Sequence, residues 1–241
     1  MDLRGNGVTW LGHGTWLWTT SEGKKVIVDP FLANNPSCPE HLQNPHVDAI
    51  LVTHGHMDHI ADLPGLAEAT GAPVFASWEV GAYLLGQGVK NVTQFGVGGT
   101  VDAGGVQATM TQAVHGSGIG APDDAMLQGG VAAGFILEFP DGLVVYQAGD
   151  TDVFGDMALL AEIYSPQVAV LPMGGHFTMG PKHGAHAVRL LGGHPGAVRP
   201  LRHLAAAGRP PRAAARAGTE QRGGARPQPG RQLRQRPTPR R

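Results

Sequence analysis

Six consecutive residues constrain this chain more than any others. His54-Gly55-His56-Met57-Asp58-His59 carries three imidazoles and a carboxylate, directly after Ala49-Ile50-Leu51-Val52. The apolar run reads as a buried strand, so a rigid element delivers ligand-type side chains to its own C-terminal end. In extended backbone, residues two apart face the same way, which aligns His54 with His56. Asp58 and His59 follow where the chain turns and point elsewhere, so one strand end can feed two neighbouring metal ions. Imidazole and carboxylate without thiolate suit zinc, and also manganese, iron or nickel. The plain alternative, a His-rich surface loop, fits poorly with this spacing directly after a buried strand.

The rest of the chain repeats the theme. Strands are expected at Val8–His13, Thr15–Thr20, Lys25–Val28, Val74–Ala76, Thr100–Val101, Val106–Val114, Val131–Phe139, Leu143–Tyr146 and Val168–Leu171. Helices are expected at Leu63–Ala69, stopped by Gly71 and Pro73, at Trp78–Leu85, stopped by Gly86 and Gly88, and at Phe154–Tyr164 and His183–Leu191. The alternation after residue 49 makes this an α/β chain with a partly parallel sheet and covering helices. Five apolar runs end in ligand-type residues: Asp29, His54, His115, Asp150 and His176. In open α/β sheets, sites form outside the carboxyl ends of strands, so one rim gathers these groups into a polynuclear site. The loop Gly116–Gly130 is long enough to serve as a lid.

Charge divides the chain of 241 residues in two. Residues 1–192 carry six basic and 18 acidic side chains, a balance of −12; residues 193–241 carry 12 arginines and one acid, Glu220, a balance of +11. Hydrophobic residues make up 41%, enough for a sizeable core. The single cysteine, Cys38, lies in a Pro-rich loop; it excludes an internal disulfide framework and fits a reducing, cytoplasmic setting. No apolar leader opens the chain, and no apolar run approaches the ~20 residues of a membrane span. The tryptophans, three within Trp10–Trp18 and the fourth at Trp78, are expected in the core rather than as stacking platforms.

The series His54-x-His56-x-Asp58-His59, His115 and Asp150 resembles the metallo-β-lactamase superfamily over about residues 8–192. A finer match, to metal-dependent hydrolases similar to bacterial ascorbate-6-phosphate lactonase, rests on Leu11-Gly12-His13, Val28-Asp29-Pro30-Phe31, Val52-Thr53-His54-Gly55-His56, Ala148-Gly149-Asp150-Thr151, Phe154-Gly155-Asp156-Met157 and His176-Phe177-Thr178-Met179-Gly180-Pro181. The resemblance implies an αββα sandwich. It implies a first metal on His54, His56 and His115, a second on Asp58 and His59, and Asp150 bridging them. Zinc is the expected ion at both sites, with manganese or another divalent ion as the alternative. Such a pair lowers the pKa of a water and polarises the oxygen under attack on an ester, lactone or phosphoester. Asp58 and His176 are the candidate catalytic groups, His176 contacting substrate or shielding the metals. Asp29 either fixes a ligand histidine's tautomer or is a turn aspartate before Pro30. His13 either lines the pocket or is a satisfied strand-end histidine. His183 and His186 read as a solvated helix face.

The chain departs from the pattern after about residue 192. The family carries a late histidine, one strand further on, as another ligand of the second metal. Here an Arg-, Pro-, Gly- and Ala-rich tail, 193–241, begins where that strand is due. All 12 basic residues of the tail are arginine, and Leu201-Arg202-His203-Leu204 is what one choice of codons for His-Tyr-Gly-Thr-(Phe/Leu) yields when read two bases on. A shifted reading frame accounts for both; the alternative is a disordered basic tail. As written, the chain is expected to hold its second metal weakly, with His203 unable to substitute.

The function expected is metal-dependent hydrolysis of a small molecule, with no membrane partner and with self-association left open. The alternatives are an impaired remnant lacking the last ligand, or a nuclease-like relative. The acidic body argues against nucleic acid as a partner, because phosphate backbones need basic contacts.

Overall fold

The computed structural model describes residues 3–120 and 125–193. The expected disordered or frame-shifted tail, and His203 within it, lie outside the described residues. The first sheet takes β1 (Gly7–Trp10), β2 (Trp16–Thr19), β3 (Lys25–Val28), β4 (Ala49–Leu51), β5 (Val74–Ser77) and β6 (Val92–Phe95) in that order. β1, β2 and β3 form an antiparallel meander, whereas β3 to β6 run parallel. The second sheet is built from β7 (Thr100–Ala103) and β8 (Val106–Gln112). The ribbon β9 (Gly118–Ile119) with β10 (Leu127–Gln128) follows, and then β11 (Ala133–Glu138), β12 (Val144–Gln147) and β13 (Val168–Val170) complete that sheet. Its order is β13-β12-β11-β8-β7, antiparallel except for the parallel β12–β13 pair.

Side-chain alternation explains the layers. Along the first sheet Trp16, Trp18, Val26, Val28, Ala49, Leu51 and Phe75 face inward and meet Ala108, Met110, Phe135, Leu137, Val145 and Val168 of the second sheet. The residues between them, Leu17, Ile27, Ile50, Val74 and Ala76, face outward and are covered by α2 (Leu63–Thr70) and α3 (Trp78–Gly86). The outer face of the second sheet, with Ile136, Tyr146 and Ala169, is covered by α4 (Met157–Tyr164) and α5 (Pro181–Gly192). Both strand faces are therefore apolar, as the continuous runs in the sequence require. Burying a large side chain such as Trp18 or Phe135 contributes roughly 1.5–3 kcal/mol. The result is the expected αββα sandwich. β13 is the end strand among the described residues, and the expected incompleteness beyond it falls outside them.

Four departures from the sequence reading have physical causes. β6 is a short, half-exposed end strand with a burial pattern too weak to read from periodicity. The cluster itself opens a one-turn helix, Met57–Ile60, in place of a plain turn. The lid segment carries the β9–β10 ribbon. Of the four tryptophans only Trp16 and Trp18 are core; Trp10 is 40% and Trp78 67% exposed. Trp10 sits on end strand β1, and Trp78 occupies the first turn of α3, so among the described residues neither has a layer on its outer side. Among the described residues no helix is long and apolar enough to cross a membrane.

Candidate metal centre

The site grows from the end of β3. Asp29 adopts a left-handed backbone, φ 52°, which turns its carboxylate back under the neighbouring β4 end. There it is fully buried and accepts three hydrogen bonds. Oδ1 accepts the Thr53 backbone N–H at 2.7 Å; Oδ2 accepts the Thr53 hydroxyl at 2.6 Å and His59 Nδ1 at 2.9 Å. With its proton committed to Asp29, the Thr53 oxygen can only accept from His54 Nδ1, 2.9 Å away. Both contacts fix tautomers: His54 and His59 each hold a proton on Nδ1 and turn Nε2 toward the interior of the cluster. Asp29 is thus the anchor of two imidazoles, one directly and one through Thr53. The sequence pattern offers Asp29 for this part and carries Thr53 only within a motif, because the hydroxyl's part depends on a proton's position rather than on any spacing.

His54 Nε2 faces His56 Nδ1 at 3.0 Å. Burial first, then the neighbouring His59, keeps the His54 pKa well below the ordinary imidazole value; burial also lowers those of His56 and His115. His115 arrives from the second sheet, just past β8. Its segment is tied to the far rim by the Val114 N–H, which donates to Thr151 Oγ1 at 2.9 Å, and by the Asp152 N–H, which donates to the Val114 carbonyl at 3.1 Å. The Ala133 N–H donates to the Thr53 carbonyl at 3.0 Å and joins the two sheets at the rim. Gly149, φ 64°, makes this closeness possible, since a Cβ there would lie 2.5 Å from the Ala133 carbonyl oxygen.

Asp150 completes the centre. Its Oδ2 lies 3.5 Å from His59 Nε2 and 3.8 Å from His115 Nε2. Burial alone would raise its pKa, but His59 and the other imidazoles hold it well below the usual carboxylate range. Burial opposes a proton on His59, yet Asp150 and Asp29 on either side push its pKa well above the imidazole norm. Asp58 behaves like Asp150: burial raises it, and the His13 and His59 imidazoles override that effect and lower it. Three sets of side chains each bring one ligand atom within 4.8 Å of one another: His54, His56 and His115; His13, His59 and Asp150; Asp29, His54 and His59. The last set is already joined by hydrogen bonds through Asp29, so the first two are the free donor sets.

These residues fit divalent cations. Among the described residues His59 Nε2 is buried with no hydrogen-bond partner, a costly state that a bound cation in place of a proton would relieve. Zinc–ligand bonds of about 2.0–2.1 Å put neighbouring tetrahedral ligand atoms roughly 3.3 Å apart. The separations of 3.0 Å between His54 and His56 and 3.5 Å between His59 and Asp150 bracket that edge. A cavity of about 20 Å³ lined by Asp29, His59, Gln147 and Asp150 borders the centre. Gly14 lines the same cavity, and a Cβ there would sit 2.5 Å from the His59 ring.

Not every expected group joins these sets. Asp58 is half exposed, with Oδ2 2.9 Å from His13 Nε2. His176 is exposed on the 174–180 loop, and its recorded partner is the Phe177 ring, 4.4 Å away between centroids. That loop is tied to the rim by the Met179 N–H, which donates to the Thr151 carbonyl at 3.2 Å. His183 pairs with Asp152 at 2.6 Å on the surface, as a solvated helix face would. Cys38 is buried, and burial together with Asp62 raises its thiol pKa, which fits an inert role. Ser117 ties its loop to the cluster: its hydroxyl accepts the Gly55 N–H at 3.1 Å and donates to the Gly129 carbonyl at 2.8 Å.

A model of the beta-lactamase superfamily domain matches residues 24–200. A UPF0173 metal-dependent hydrolase of Rubrobacter xylanophilus is 48% identical over 191 residues, covering 79% of this chain and 79% of that protein. One from Herpetosiphon aurantiacus is 48% identical over 190 residues, covering 77% of this chain and 78% of its own length. Among solved structures, the metallo hydrolase Igni18 of Ignicoccus hospitalis shares 33% identity at a TM-score of 0.65, covering 76% of this chain and 77% of its own.

Proposed function

The chain belongs to the beta-lactamase superfamily, and within it to the UPF0173 metal-dependent hydrolases, and from that premise we propose a dinuclear zinc enzyme, with manganese as the alternative ion, that hydrolyses a small ester, lactone or phosphoester. In this reading His54, His56 and His115 hold one ion, and His59 and Asp58 hold the other. Asp150 stands between the two sets and serves both. The ions would supply a Lewis acid and a water acidic enough to lose its proton near neutral pH.

The chain's own residues do the rest. Asp29 and Thr53 fix which nitrogen of His54 and His59 is bare. The buried Asp29, His54 and His59 hold the two donor sets in one register. His176 and Phe177, exposed on a loop tied to Thr151, are proposed to contact substrate. The single cysteine supports a cytoplasmic setting. The acidic body, −12 over residues 1–192, favours a small substrate over RNA.

The observation that carries the proposal is the convergence of His54, His56 and His115, from two sheets, within 4.8 Å of one another. The test is turnover of lactones, esters and phosphodiesters by the full chain with added zinc or manganese. Turnover lost in His56→Ala is the expected result. Turnover that survives this substitution, or is indifferent to chelation, removes the proposal.

A further inference from the structure

We infer that His13 is a ligand of the second metal and supplies the neutral nitrogen that the sequence reading found missing. The inference rests on the dinuclear reading above and adds a residue to it.

The position of His13 is built for such a role. It lies in the turn between β1 and β2, closed by the Leu11 N–H donating to the Thr15 carbonyl and the Thr15 N–H donating to the Gly12 carbonyl, each at 3.0 Å. Inside that turn His13 takes a left-handed conformation, φ 50°, which a non-glycine residue seldom adopts. The Trp10 indole N–H donates to the His13 carbonyl at 2.9 Å and locks the backbone. The Phe31 ring stands edge-on at 5.9 Å between centroids and fixes the imidazole from one side. This turn aims the ring at the cluster: its centroid is 5.2 Å from that of His59, and a ring nitrogen is within 4.8 Å of donor atoms of both His59 and Asp150.

The decisive feature is what the ring nitrogen meets. Among the described residues, neither His13 Nε2 nor His59 Nε2, both buried, has a hydrogen-bond partner. Asp58 Oδ2 does approach His13 Nε2 to 2.9 Å, but out of line for a ring N–H hydrogen bond. A histidine that merely paired with Asp58 would align its N–H with the carboxylate. Two buried imidazole nitrogens, both unpartnered and both beside acidic oxygens, describe a donor set around a cation. His13, His59 and Asp150 bring two nitrogens and a carboxylate within 4.8 Å of one another, the three-ligand pattern with an open position that catalytic zinc takes. A ligand three strands upstream of the His54–His59 run can thus supply that nitrogen from within the described residues.

The test measures metal binding directly. Full-length wild type and His13→Ala are loaded with excess zinc, desalted, and their zinc content and affinities determined. Wild type should retain two zinc ions per chain, and His13→Ala one, with the weaker affinity falling by at least about 100-fold, beyond what loss of a merely orienting group causes. Anomalous diffraction at the zinc edge on wild-type crystals needs no variant; it should place the second ion at bonding distance from a His13 nitrogen. Two ions in wild type and two equally tight ions in His13→Ala would overturn the His13 assignment and leave the dinuclear reading intact. An ion in contact with His59 and Asp150 but away from His13 would do the same. Only one tight ion in wild type would overturn both the assignment and the dinuclear reading.

Discussion

The set His54, His56 and His115 lies beside the set His13, His59 and Asp150, yet the two differ in charge and in support. In the first, three imidazoles have lowered pKa values, chiefly through burial, and present bare nitrogens. In the second, His59 is clamped between Asp29 and Asp150, and the carboxylates draw positive charge toward the site. One set accepts a cation as a neutral cage; the other demands one as a counter-charge. Asp29 underlies both, directly at His59 and through Thr53 at His54. The difference shows how one buried carboxylate can organise two unlike sites from a single strand end.

Substitutions separate the halves. Asp29→Ala should have the largest effect, because it releases both rings. Metal affinity at both sites should fall roughly 10- to 100-fold, and the buried Thr53 N–H, left unpaired, should cost about 1–3 kcal/mol of stability. Zinc titration and thermal melting read the two effects; a loss confined to one site would break the shared-anchor account. Gly14→Ala should come next and act on one half only. Its Cβ would collide with the His59 ring, at a cost of about 1–3 kcal/mol as overpacking, so the second ion should weaken while the first is retained. Thr53→Val should be the mildest and touch the other half. Losing the hydroxyl frees the His54 tautomer, and the first site should weaken by about 10-fold, with His59 still held by Asp29. Equal weakening of both ions in Thr53→Val would show that the relay is not specific to His54.

Much of this arrangement was legible in the sequence, for a physical reason. Period-two alternation places His54 and His56 together, and apolar strands that end in Asp29, His115 and Asp150 bring those groups to one rim whatever the details of packing. The sandwich follows from strands that are apolar on both faces, as Leu17 between Trp16 and Trp18 illustrates. What depends on a single dihedral or a single proton was not legible. His13 reaches the centre through one left-handed residue in a turn, and Thr53 matters because its proton points to Asp29. Trp10 and Trp78 look like core residues by composition, but their exposure is decided by the absence of a covering layer at β1 and at the start of α3.

The central claim is that donors from two separate sheets close on the same ions, and His115 tests it most directly, being the imidazole that the second sheet supplies. Zinc affinity of the full chain should be compared with that of His115→Ala, with circular dichroism to verify that both are folded. The account predicts that His115→Ala keeps its fold and loses tight binding of the ion shared with His54 and His56. A folded His115→Ala that binds zinc with the wild-type number and affinity would contradict it.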